Sequence, residues 1–190
     1  MDRIQRVRRA IAGLEVDRIP AGFWTHFPPA AATGRAMADA HLDFYRRSGV
    51  DFVKVMNDNP YRLVGLDRVD RASDWRRLRP EPRGSQGRLA YLDGLKAILD
   101  AVGHEALVIA TVFNPFATAN DNRSGSLDFS DLTFDGISAL STASRPAIER
   151  EVREAVAVAG ARGFMLGAGC AVTGEVDPEV FAWAREAATA

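Results

Sequence analysis

The order of periodic segments predicts an α/β fold built on a parallel sheet. Two observations predict it. Helical and strand-like stretches alternate through the first 113 residues, and two of the strand-like stretches stop on the same dipeptide, Asn59-Pro60 and Asn114-Pro115. The polar residues His26, Asp58 and Asn114 fall at the carboxyl ends of strand-like stretches, where parallel sheets gather their chemistry.

Each element has a local reason. Ile4, Val7, Ala10 and Ile11 recur at helical spacing, and Gly13 follows as a stop. Asp17 to Pro20 reads as a turn, and Ala21 to Phe27 as a strand halted by Pro28-Pro29. Met37, Ala40, His41, Phe44 and Tyr45 give a helix over 35–48, with Gly49 at its end. The strand Asp51–Asp58 comes next. Residues 61–85, polar and rich in arginine and proline, are too long for a simple connection. Leu89, Leu92, Leu95, Ile98 and Leu99 predict a helix stopped by Gly103, and Leu107 to Phe113 a buried strand. Residues 119–144 are rich in Ser, Asp, Asn and Thr and hold at most one short strand, near Gly136–Leu140. Arg145-Pro146 opens a helix with Ile148, Val152, Ala155, Val156 and Ala159 on one side. Phe164 to Gly167 reads as a last strand, and Asp177-Pro178 as the start of a helix through Val180, Phe181, Trp183 and Ala184.

Composition narrows the function classes. A chain of 190 residues, 47% hydrophobic, suits a single domain with a real core. A net charge of -1 gives no field that would draw in nucleic acid or a membrane surface. The arginine cluster Arg3, Arg6, Arg8 and Arg9 reads as the solvated face of the first helix rather than a transit peptide. Apolar runs fall short of the ~18 residues of a membrane span. Cys170 is the only cysteine, which rules out an internal disulfide and fits a cytoplasmic setting.

The stretch Asp51–Asp58 carries the functional reading. Side chains alternate along a strand, so Val53, Val55 and Asn57 share one face, and Phe52, Lys54, Met56 and Asp58 the other. The aliphatic face suits packing under helices, and the face with Lys54 and Asp58 suits the mouth of a cleft. An edge strand with Lys54 in water is the alternative. Lys54 and Lys96 are the only lysines in a chain that otherwise uses arginine. His26, beside Trp24 and Phe27, is the best placed of the three histidines. His41, mid-helix, and His104, in a loop, read as structural or exposed, and the three lack metal-ligand spacing. Cys170, on the turn Gly167-Ala168-Gly169-Cys170, is either a thiol at the sheet mouth or a small buried hydrophobe.

Three stretches resemble the uroporphyrinogen decarboxylase family, which includes cobalamin-dependent methyltransferases. They are Arg6-Val7 through Asp17-Arg18-Ile19-Pro20 to Phe23-Trp24-Thr25-His26-Phe27-Pro28; Asp51-Phe52-Val53-Lys54-Val55-Met56; and Arg162-Gly163-Phe164-Met165-Leu166-Gly167-Ala168-Gly169-Cys170, running into Asp177-Pro178-Glu179. The resemblance implies a (β/α)8 TIM barrel, here incomplete. A full barrel takes about 250 residues, so this single domain looks truncated around 119–144, with four to five parallel strands flanked by helices. It implies carboxyl removal or methyl transfer on a small or tetrapyrrole-type substrate. Asp58 and His26 would be catalytic, and Lys54, Trp24, Asn114 and Cys170 would bind substrate. The Arg-Gln-Ala-Gly-Arg segment of the decarboxylases is replaced by Thr25-His26-Phe27-Pro28-Pro29, and the His-x-Cys pair of the zinc-binding methyltransferases is absent. Cys170 alone does not hold zinc, so no metal or other cofactor is expected. An inactive remnant or binding module of the same fold is the alternative.

In such a barrel the first and last strands are neighbours, so the surviving order would be (fourth)-third-second-first-last, all parallel. The inner face then lies open. Either the helix at 145–161 crosses to cover it, or two chains meet across it. The apolar character of Phe52, Met56 and Phe113 favours a homodimer. Light scattering at micromolar concentration is expected to give twice the 20.6 kDa chain mass; a monomer would remove this expectation.

Overall fold

The computed structural model describes residues 1–59, 63–67, 69–71, 73–112, 140, 143–160, 162–168, 171–172 and 176–189. Helix α1 (Arg3–Ile11) is capped by Asp2, whose side chain accepts from the Gln5 amide. Helix α2 (Gly34–Ser48) ends at Gly49, which takes the left-handed conformation, φ 63°. Strand β1 (Phe52–Val55), helix α3 (Gln86–Val102) and strand β2 (Leu107–Ala110) follow. Helices α4 (Arg145–Ala159) and α5 (Glu179–Ala187) complete the described elements. Short 3-10 turns lie at Pro29–Ala31 and Asp74–Arg77. The fold is therefore mixed α/β. No helix among the described residues is long and apolar enough to cross a membrane.

β1 and β2 pair in parallel, Phe52 opposite Leu107 and Val55 opposite Ala110. The other side of β1 also has a neighbour, because the Asp51 amide donates to the Ala21 carbonyl at 2.8 Å. The 21–25 segment thus meets the chain just ahead of β1, while the regular sheet consists of β1 and β2. The segment from Ala21 touches the segment after Phe164 through two isolated parallel bridges, Ala21 with Leu166 and Thr25 with Val172. Beyond the two-stranded sheet, these contacts are isolated bridges rather than further strands.

Four strand expectations are shortened, and β2, expected as a buried strand as far as Phe113, ends at Ala110 and is half-buried to exposed. The expected strand Ala21–Phe27 and the expected last strand Phe164–Gly167 are reduced to those bridges. Their paired residues lie four apart on one segment and six apart on the other, so no continuous ladder can form between them. β1 stops at Val55, and the next amide, on Met56, donates to His41 Nε2. Leu140 is helical, not extended; the rest of the strand expected at 136–140, and Phe113 with it, lies outside the described residues.

The helices cover one face. Val53 and Val55 enter a core with Phe23, Met37, Leu42, Ile98 and Phe181. The Phe181 ring stacks on Phe23 at 4.8 Å and meets Phe44 at 5.5 Å, which fixes α5 against both the 21–25 segment and α2. Arg185 of α5 donates to the Gly49 carbonyl at 2.6 Å, placing a cation at the C-terminus of α2. α4 contributes Ile148 and Val152 to this same core and packs beside α5, so it does not cross to the opposite face.

On the opposite face, side chains of the 21–25 segment and β1 meet in rungs. Gly22 lies beneath the Phe52 ring, where an added Cβ would come within 2.0 Å of the ring. The next rung is Trp24 with Lys54, whose ammonium stands 3.7 Å from the indole centroid.

The amino end of β1 is fixed by a charge cluster. The Asp51 carboxylate is fully buried and accepts four hydrogen bonds: Arg6 at 2.8 Å, Arg18 twice at 2.7 Å, and the Ala21 amide at 2.8 Å. Arg6 also makes two bonds of 2.7 Å to Asp17. Those bonds hold the Asp17 carboxyl well below the usual carboxylate range and raise the Arg6 guanidinium. Removing one member of a buried pair leaves uncompensated charge. Asp51→Ala is expected to lower unfolding free energy by about 3–5 kcal/mol, read from urea melts. A loss below about 1 kcal/mol, the range of an exposed pair, would show that the cluster is not what holds this corner.

Candidate functional site at the carboxyl ends of the strands

The site forms where the 21–25 segment and β1 run out. Pro28-Pro29 turns the first chain away, and the Met56 amide leaves the ladder for His41, so both chains expose side chains just beyond the sheet. His26 and Asp58 meet there. His26 Nδ1 lies 2.5 Å from one Asp58 oxygen, and the Phe27 amide donates to the other at 3.2 Å. An ionised carboxylate only accepts, so Nδ1 carries the proton and the neutral ring keeps its lone pair at Nε2. The His26 side chain is 56% exposed and that of Asp58 14%, so the pair presents an imidazole to solvent on a sheltered carboxylate.

The Trp24–Lys54 rung lies two residues back along the first chain and four along the second. The structure thus joins four of the six expected site residues into two cross-strand pairs, Trp24 with Lys54 and His26 with Asp58. The remaining two, Asn114 and Cys170, lie outside the described residues.

His41 is the support behind this end. Its Nδ1 donates to the Met37 carbonyl at 2.8 Å, and its Nε2 accepts from the Met56 amide at 3.0 Å. Both nitrogens are therefore committed with the ring neutral, and Phe27 packs on it at 4.6 Å. Burial holds the His41 pKa below its ordinary 6.5, against the opposing pulls of the Met37 carbonyl and the Asp58 charge.

A cleft of about 560 Å³ opens on the other side of His26. It is lined by Thr25 to Pro28, by Asp43, Phe44 and Arg47 of α2, and by Val176 to Pro178. Lys54, Trp24 and Asp58 do not line it, so His26 is the residue common to the Asp58 pair and the cleft. The Thr25 hydroxyl is held by the Val172 carbonyl at 2.8 Å and is not set against the imidazole. Sequence reasoning missed the Phe27 amide, since a backbone donor has no side-chain signature. It also passed over Asp43 and Arg47, which look like any solvated helix face.

No family model matches the chain, and no curated protein or solved structure matches it. Among the described residues, no three of His, Cys, Asp and Glu gather as a metal ion would require. What the arrangement can do is move a proton: a carboxylate orients an imidazole and stabilises its protonated form.

The His41 geometry gives a pH dependence. Its folded pKa is depressed, so the unfolded chain takes up the proton first. The contribution of His41 is present above pH 6.5 and is lost as pH falls toward the folded pKa. In urea melts from pH 7.5 to 5.5, the His41→Gln variant is expected to lose less stability than the parent chain. At the upper pH it should be less stable by about 1–3 kcal/mol. Parallel pH profiles would show that His41 does not titrate with folding.

Proposed function

We propose that this protein removes a carboxyl group from a small or tetrapyrrole-type acid at the carboxyl-end mouth of its parallel strands, as the resemblance to the uroporphyrinogen decarboxylase family implies. The observation that carries this reading is the His26–Asp58 pair beside the Trp24–Lys54 rung. Loss of carbon dioxide leaves an electron pair on carbon, which must be delocalised and then protonated. A protonated His26, stabilised by Asp58, delivers that proton from Nε2. The Lys54 ammonium, steadied over Trp24, neutralises a carboxylate of the bound acid. Methyl transfer, the other activity of the family, calls for a thiolate or metal-activated acceptor, and the described site offers an acid–base pair instead.

The test is release of carbon dioxide from a carboxylated porphyrinogen and from simple pyrrole-acetic acids, with methylcobalamin demethylation run in parallel. Asp58→Ala and His26→Gln are each expected to slow decarboxylation by about 100-fold or more, the usual worth of a positioned proton donor. Turnover no higher in the parent chain than in Asp58→Ala would favour the non-catalytic alternative, a binding module of the same fold. Demethylation without decarboxylation would transfer the site to methyl chemistry.

A further inference from the structure

The cleft beside His26 owes its place to the way α5 meets α2. Phe181 of α5 packs on Phe44 of α2 with ring centroids 5.5 Å apart, and Arg185, one turn on, reaches the Gly49 carbonyl at 2.6 Å. The two helices therefore run side by side in the same direction from Phe181 onward. Ahead of that contact, α2 and the 176–178 segment both line the cleft of about 560 Å³. Its apolar lining includes Phe27, Phe44, Val176 and Pro178, and its charged lining is Asp43, Arg47 and Asp177. Asp43 and Arg47 lie one turn apart on α2. Asp43 Oδ2 and Arg47 Nη1 stand 3.6 Å apart, too far for a hydrogen bond. Pairs of the same spacing that do not line the cleft close up: Arg35–Asp39 stands at 2.8 Å, Arg145–Glu149 at 2.9 Å and Arg153–Glu149 at 3.1 Å. Asp177 gives one oxygen to the Glu179 amide at 3.0 Å.

An open ion pair offers a guanidinium and a carboxylate side by side. A ligand group that carries both charges can meet each with its opposite. A carboxylate alone would gain Arg47 but meet Asp43 and Asp177, and an ammonium alone would gain the aspartates but meet Arg47. We infer that this cleft binds the zwitterionic head of a free amino acid, its carboxylate on Arg47 and its ammonium on Asp43. The planar guanidinium fork suits a carboxylate, and Asp177 adds negative charge to the surroundings of the ammonium. An apolar body on that head has Phe27 and Phe44 to pack against. Two aspartates against one arginine leave the charged lining net negative, since His26 is neutral, and this disfavours an acid with several carboxylates. Taken with the proposed function, on which this step rests, the inference narrows the acid to a small amino acid whose second carboxyl lies at His26, the residue common to cleft and site.

Free phenylalanine, phenethylamine and hydrocinnamate share one hydrocarbon body and differ in charge: both charges, the ammonium alone, the carboxylate alone. Each is titrated into the full chain near neutral pH and followed by NMR at the Arg47 side-chain N–H and the Phe44 ring. Phenylalanine is expected to give saturable shifts at both and to bind about three- to tenfold more tightly than either relative, the worth of one added polar contact. Arg47→Gln should bring phenylalanine down to the level of phenethylamine, and Asp43→Asn to that of hydrocinnamate. The two side chains are 58% and 67% exposed, so both variants should keep the urea stability of the parent chain. Hydrocinnamate binding as tightly as phenylalanine would make the cleft an anion site, and phenethylamine doing so would make it a cation site. An absence of saturable shifts would leave Asp43 and Arg47 an ordinary surface pair. Each of these three results overturns the inference. No readout uses turnover, so failure here leaves the His26–Asp58 proposal standing, and failure of decarboxylation leaves the binding result standing.

Discussion

The buried carboxylate of Asp51 is the constraint on which the rest of the structure depends. One side chain joins three segments: α1 through Arg6, the turn before the first extended segment through Arg18, and that segment itself through the Ala21 amide. Its own amide returns a bond to the Ala21 carbonyl. This double link sets which residue of the 21–25 segment lies beside which residue of β1. A slip of one residue would turn every side chain to the wrong face. With the register held at Asp51, Gly22 falls under Phe52 and Trp24 under Lys54.

The same strand carries an aspartate beyond each end, and their environments separate their roles. Asp51, at the amino end, is sealed and fully satisfied by fixed protein donors. Asp58, past the carboxyl end, is partly open, and its principal partner is an exposed imidazole that can exchange its own proton. Stability at the amino end and chemistry at the carboxyl end is the usual division in parallel α/β architectures. Under the proposed function, Asp58 takes the second of these parts, seven positions from Asp51. His41 ties the carboxyl end of β1 back to α2 by accepting from the Met56 amide.

Much of the fold was legible because it is local. Helical periodicity located α1 to α5 within a few residues, and Gly49 marked a helix end that requires a positive φ. The two faces of β1 followed from alternation. What could not be read was pairing at a distance. His26 and Asp58 each stood out alone, but they lie 32 residues apart, and nothing local requires them to meet. Asp51 looked like an ordinary residue at a strand start, since its partners Arg6 and Arg18 resemble the other arginines of a basic helix and turn. The bond between His41 and the Met56 amide was hidden for the same reason: a mid-helix histidine gives no sign that it will capture a backbone amide.

The bridges between the 21–25 and 166–172 segments have a consequence for how the chain is made. The bond from the Thr25 hydroxyl to the Val172 carbonyl spans 147 residues. Contacts of such separation form late, after the entropy of closing a long loop has been overcome. During synthesis the first extended segment therefore emerges with one neighbour, β1, at hand and the other still inside the ribosome. Its open edge must wait for the C-terminal segment, and over that interval it is the part of the chain most able to pair with another molecule. Arg185 and Phe181 then arrive together with that segment, so the closing of the edge and the locking of α2 become one event.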